Sequence, residues 1–353
     1  MKFISILHTA LMVVFLHASL AFAGQFDNPY QGSIIAAEHS EEVLKELALK
    51  QVLVKVSGNK NIIQLPDSQL LIAKLDQFIS QYSYDLYRGS RYFMAVFDKH
   101  EIDQALTSIQ QPIWGVSRPV TLIWMVSDSN TNRQFISDDL LTQKAYLDIN
   151  GAMLNEQHAR GINFQFPLID LEDSLAASVS DVTGHFYEQI ATASQRYGVG
   201  YFVTANLLQN ERADNQWMLS WTLLRLTASG SPSQVLLEKT SSGDKVSLVA
   251  EMTNDIADYY AGQFAVRENQ SDNFLKTIYI SGVNSLSKFN QLNTMLGKLN
   301  SVASYEIVSV NDAQVTINIK VNGGLSSFEN GLLAQPNLQP NLSLSEPLHF
   351  NWR

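Results

Sequence analysis

The 353-residue sequence contains no cysteine. Disulfides, a thiol nucleophile and the thioether anchor of a lipoprotein are therefore excluded, and the fold must rest on its core alone. Basic residues are scarce. Without Lys2 the chain carries 23 Lys and Arg against 34 Asp and Glu, a formal charge of −11. Nucleic acid and anionic membrane are disfavoured as main partners, because both need concentrated positive charge. Long apolar runs are confined to Ile4–Leu20. Lys2, that run and Ala21-Phe22-Ala23 have the form of an export leader cleaved before Gly24, so residues 1–23 are expected to be a signal peptide and the mature protein to be periplasmic. No later stretch approaches the ~20 residues needed to cross a bilayer.

The densest patterning runs from Phe166 to Leu207. A short apolar run there breaks into three carboxylates, Asp170, Glu172 and Asp173, at what reads as the end of a strand. Val182, Phe186, Ile190, Ala193 and Tyr197 follow at spacings of three and four, the period of one helix face. Gly198 stops that helix and Tyr201–Leu207 reads as a buried strand.

The rest of the chain divides into three units of α/β and α+β class. Residues 24–114 read as β-α-α-β-β-α, beginning with a strand over Tyr30–Ala37 and a helix from Ser40 to Val56, stopped by Gly58. Residues 115–266 read as a layered α/β domain. Its elements are a strand at Val120–Val126, a turn at Asn130–Arg133, a helix over Ser137–Arg160 interrupted at Gly151, two further strands and a helix over Asp244–Tyr260. Arg267–Asp272 is polar and reads as a linker. Residues 272–353 follow the ferredoxin-like order β-α-β-β-α-β, closing on a run that puts Leu342, Leu344, Leu348, Phe350 and Trp352 on one side.

Four segments, ALKQVLVKVSGN, SRPVTLIW, FPLIDLED and ASQRYGVG, resemble the uncharacterised envelope family known as domain of unknown function 2066. The resemblance covers most of the mature chain and implies an envelope protein without implying a reaction. The helix-RYG-strand step of the middle unit is also similar to envelope assembly domains, those of the Tol-system propeller protein and of curli-secretion and penicillin-binding-protein activator lipoproteins. That likeness rests on fold order, which does not carry activity.

Chemistry has few carriers. Asp170, Glu172, Asp173 and Asp181 are a candidate acidic cluster, able to offer several oxygens to a hard cation, although their spacing departs from the calcium-loop pattern. The plainer reading makes Asp173 or Asp181 a helix cap, with Arg118 as the ion-pair partner of an acid. His39, His100, His158, His185 and His349 lie too far apart for a zinc motif. There is no G-x-S-x-G elbow, and Gly198-Val199-Gly200 follows a helix, the reverse of a dinucleotide loop. The five tryptophans fit packing better than a ligand groove. No cofactor is expected. The expectation is a non-catalytic module that binds another envelope protein, and the alternative is a metal-dependent enzyme or small-ligand binder that uses the acidic cluster.

Overall fold

The computed structural model describes residues 28–352 apart from position 38 and segments 88–89, 130–131, 211–215, 227–232, 268–273, 336 and 342–347. Three sheets, each with its own buried cluster, follow one another along the chain. The first comprises β1 (Gln31–Ile35), α1 (Glu41–Ser57), α2 (Pro66–Ile72), β2 (Ile79–Tyr87), β3 (Ser90–Phe97) and α3 (Lys99–Ser108), in the expected order. Its strands run β1-β3-β2, antiparallel throughout. The Ser40 side chain accepts from the Val43 N–H to begin α1, and Gly58 ends it at φ 69°. Glycine is also required there by space, since a Cβ would stand 2.4 Å from that of Ala261. The inward stripe of α1 includes Leu44, Ala48, Val52 and Val56, with Lys55 buried among them.

The middle sheet is built from β4 (Val120–Ser129), β5 (Asn132–Ile136), α4 (Asp138–Leu141), α5 (Leu147–Arg160), β6 (Asn163–Gln165), α6 (Leu171–Ala176), α7 (Val179–Thr183), α8 (Tyr187–Ser194), β7 (Tyr201–Gln209), β8 (Trp217–Arg225), β9 (Gln234–Gly243) and α9 (Lys245–Phe264). The strand order is β5-β4-β7-β8-β9, with β6 beside the start of β4; β4 runs parallel to β6 and β7, and the other pairs are antiparallel. Ile149 and Met153 of α5 and Met252, Ile256 and Tyr260 of α9 cover one face, against Ile123, Met125 and Val203. Val182, Ile190 and Ala193 cover the other, against Leu122, Trp124 and Phe202. The result is a layered α/β unit.

Several local expectations change. Residues 132–136 form a strand that the turn reading of Asn130–Arg133 hid, because Asn132 and Arg133 are polar positions on an edge. The long helix breaks near Thr142 and Gln143, and Gly151 sits inside α5 with nothing within 4 Å of its Cβ position, so it interrupts nothing. The helix expected across Val182–Tyr197 is two, parted at Gly184 and at His185, whose φ is 60°. Phe186, expected to face inward, is 53% exposed. The strand before the acids is the short β6, and Asp170 begins a helix.

The last sheet comprises β10 (Phe274–Ser281), α10 (Leu286–Lys298), β11 (Val302–Asn311), β12 (Gln314–Val321), α11 (Leu325–Leu333), β13 (Leu338–Pro340) and β14 (His349–Trp352), ordered β11-β12-β10-β14-β13. The first four strands of that order are the ferredoxin-like arrangement. The hairpin of β13 and β14 reverses the last strand, which pairs in parallel with β10. Phe350 and Trp352 are buried as the alternation requires, while Leu342, Leu344 and the linker from 268 lie outside the described residues.

Candidate functional site

Asp170, Glu172 and Asp173 meet around Arg196. Asp170 is the N-cap of α6 and accepts the Asp173 N–H at 3.0 Å. The Arg196 guanidinium grips Asp170 with both terminal nitrogens, at 2.8 and 2.9 Å, and reaches Asp173 at 3.0 Å. The bond to Arg196 and then the Asp173 N–H hold the Asp170 carboxyl well below the usual carboxylate range. Asp173 is 1% exposed, and its second oxygen accepts from the Ile169 N–H at 2.8 Å and the Tyr197 hydroxyl at 2.5 Å. The Tyr197 oxygen accepts the Leu168 N–H at 2.9 Å, and burial together with the bond to Asp173 pushes its pKa up to about 12. Glu172 is exposed, 3.6 Å from Arg196. Asp181 stands apart, in a capping box with Ser178.

Two expectations are corrected. Asp170, not Asp173, is the cap of α6, and its partner is Arg196, not Arg118. Arg196 and Tyr197 lay in view in the ASQRYGVG segment, but only the fold brings them back across 23 to 29 residues onto the turn before α6.

That turn is strained. Ile169 is β-branched and has a φ of 53°, a region such residues avoid. Hydrogen bonds from or to Asp173 and Tyr197 hold it there. Helix α6 is also inverted relative to an ordinary surface helix. Its buried position is the carboxylate of Asp173, and the leucines point outward, Leu171 76% and Leu175 81% exposed, with Leu168 before them 64% exposed. Leu171 and Leu175 are four apart and share one side of α6. The acids thus use their oxygens to brace a turn that presents leucines to water.

Arg118 lies elsewhere, at the junction of the first and middle units. Its guanidinium donates to five backbone carbonyls, of Lys55 and Trp114 at 2.7 Å, Gly115 and Gly161 at 2.9 Å and Arg160 at 3.1 Å. Lys55 belongs to the last turn of α1 and Arg160 to that of α5, so one cation satisfies orphan carbonyls at two helix C-termini, where the helix dipoles favour positive charge. The same guanidinium stacks on Trp114 at 4.0 Å. Burial lowers its pKa to about 9. Arg160 reaches back across the junction to the Gly58 carbonyl at 3.0 Å and pairs with Asp258 at 2.5 Å. Ile113 and Val266 close the ring with two backbone bonds.

Against this junction lies a cavity of about 80 Å³ lined by Lys55, His158, Asn28 and Gln157 among others. Burial, and then the charge of Arg118, lowers the Lys55 amine from 10.5 to about 7. Burial, and then Lys55, holds His158 down at about 4. An amine depressed in the folded state binds its proton better when unfolded, so on its account stability rises as pH climbs through the gap between the two values. The expected result is a urea midpoint that increases from pH 7 to 9 in the natural protein and a flatter profile in Lys55→Met; equal slopes would contradict the assignment. Lys55 is not among the residues singled out from the sequence, although its place seven residues after Ala48 and three after Val52 on the inward stripe of α1 is a signal that could have found it.

Three other histidines make local contacts, His185 edge-on to Tyr187 among them. His349 stacks on Tyr279 with ring centres 4.3 Å apart, and His100 lies 2.9 Å from the Gln104 amide. Trp114, Trp124, Trp221 and Trp352 are buried. Among the described residues no group of three or more His, Asp and Glu is arranged to hold a metal ion, and no helix is long and apolar enough to cross a membrane.

A family profile described as Domain of unknown function (DUF8605) matches residues 23–115. No curated protein matches the sequence. Among solved structures the chain is similar to the C-terminal domain of LpoB from Salmonella enterica, at 14% identity over 36% of this chain and 84% of that one with a TM-score of 0.24. It is similar to the hypothetical protein CT253 from Chlamydia trachomatis at 9% identity, over 41% and 98% of the two chains, with a TM-score of 0.24. It is similar to PelC from Paraburkholderia phytofirmans, a dodecamer, at 6% identity, over 41% and 89%, with a TM-score of 0.23. The profile match ends at Gly115, within the linker whose carbonyls Arg118 binds.

Proposed function

We propose that this protein is an exported, non-catalytic module of the cell envelope that docks another envelope protein through the leucine platform of Leu168, Leu171 and Leu175. The inverted helix α6 carries the reading: its one buried position is a carboxylate that braces the turn, while Leu168 before it and Leu171 and Leu175 on it stand mostly in water, where they add little to folding. Each leucine moved from water into a partner's surface contributes roughly 1.5 to 3 kcal/mol before the cost of association is met. The brace of Asp170, Asp173, Arg196 and Tyr197 fixes the platform in advance, which lowers the ordering cost of binding. The leader-like residues 1–23 and the segments resembling domain of unknown function 2066 support a periplasmic site of action.

A photoreactive residue at position 175, in protein that begins at Gly24 in the periplasmic fraction, should give one discrete crosslinked envelope protein. Leu171→Asp should abolish that adduct. No adduct, or one that survives Leu171→Asp, would show that the platform docks nothing.

A further inference from the structure

The junction that Arg118 organises carries more positive charge than the protein around it compensates. Lys55, Lys60, Arg118 and Arg160 meet there, and the one carboxylate paired with any of them among the described residues is Asp258, which Lys60 and Arg160 share at 2.9 and 2.5 Å. Among the described residues neither Lys55 nor Arg118 has an ion pair, although Lys55 is only 6% exposed. Arg118 spends its five donors on carbonyls. Lys55 has three donors and gives one, to the Gln31 carbonyl at 2.6 Å. A buried ammonium so placed is expensive unless an anion meets it.

The cavity beside it is suited to supply one. None of its lining residues is acidic. The Gln157 amide oxygen is taken by the Phe164 N–H at 2.9 Å and the Asn28 amide oxygen by the Tyr30 N–H at 3.0 Å, so the remaining end of each side chain is a donor. His158 lines the same space. About 80 Å³ is room for two or three waters, or for an oxyanion of the size of acetate or phosphate.

We infer that this cavity is a binding site for a small oxyanion, held by the Lys55 ammonium with the amides of Gln157 and Asn28 as further donors. Because α1 and β1 of the first unit and α5 of the middle unit share its walls, a bound anion would tie the two units together, and by mass action it stabilises only the folded junction.

Melting temperature is measured on the mature protein below neutral pH, with sodium acetate or sodium phosphate added against sodium chloride at matched ionic strength. A saturable rise with acetate, phosphate or both is expected in the natural protein, absent in Lys55→Met and weakened in Gln157→Leu. Equilibrium dialysis with labelled acetate and labelled phosphate should find one equivalent bound at saturation by the natural protein, and which ion binds tells a carboxylate site from a phosphate site. Lys55→Met keeps the length of the stem and removes only the charge and donors, so it is expected to fold. Should it not, dialysis of Gln157→Leu takes its place: weakened binding supports the site, and undiminished binding overturns it. No rise with either anion, or an equal rise in the variants, also overturns the site.

Discussion

Arg118→Ala should lower the unfolding free energy by about 3 to 5 kcal/mol in urea denaturation, the largest loss expected of any single substitution outside the apolar cores. The substitution strands five carbonyls, three of them at helix ends. It also removes the cation that two helix C-termini face and the stacking partner of Trp114. Arg118→Lys should recover a minority of the loss, since a point charge keeps the dipole interaction but not the five-fold geometry. Gly161→Ala should injure the same hub by another route: its φ is 66°, and the new Cβ would stand 2.8 Å from an Arg118 nitrogen. A loss below about 1 kcal/mol for Arg118→Ala would mean that the junction does not depend on this residue.

The second large effect separates two acids that look alike in sequence. Asp173→Asn should cost about 2 to 4 kcal/mol, because the buried carboxylate accepts from Arg196, Tyr197 and the Ile169 N–H, and an amide has only one acceptor oxygen. Its NH2 group would meet donors on that side. Asp170→Asn should be milder, since asparagine caps a helix nearly as well and the pair with Arg196, with Asp170 43% exposed, is partly screened by water. Thermal melts of the two variants side by side decide between them. If Asp170→Asn proves the more damaging, the brace is centred on the cap and not on the buried acid.

That contrast shows where the sequence was readable. Periodicity was enough for α1, because Leu44, Ala48 and Val52 repeat on one face between a serine cap and a glycine stop. In the last unit it was enough for the run from β10 to α11 but not for the added strand β13, which turns the last strand parallel to β10. It failed over Val182–Tyr197, where a three-four spacing continues through a break at Gly184 and His185 that the spacing does not register. At the acids the residue types were visible but their assignment was not. A carboxylate three positions into a helix is ordinarily solvated, and only Tyr197 and Arg196, returning from beyond α8, turn Asp173 inward. Arg118 was legible as a residue in want of a partner. That the partner is backbone follows from two helices ending at one place, a long-range fact that no local pattern holds.

The claim that the leucines of α6 serve a partner is tested most directly by the double variant Leu171→Ser, Leu175→Ser. Its melting temperature is measured together with its recovery, by affinity capture, of the protein that position 175 crosslinks in the natural chain. With both side chains mostly in water, a docking role predicts an unchanged or slightly higher melting temperature and loss of the partner. A melting temperature that falls as it does for core leucines, or a partner recovered undiminished, would contradict it.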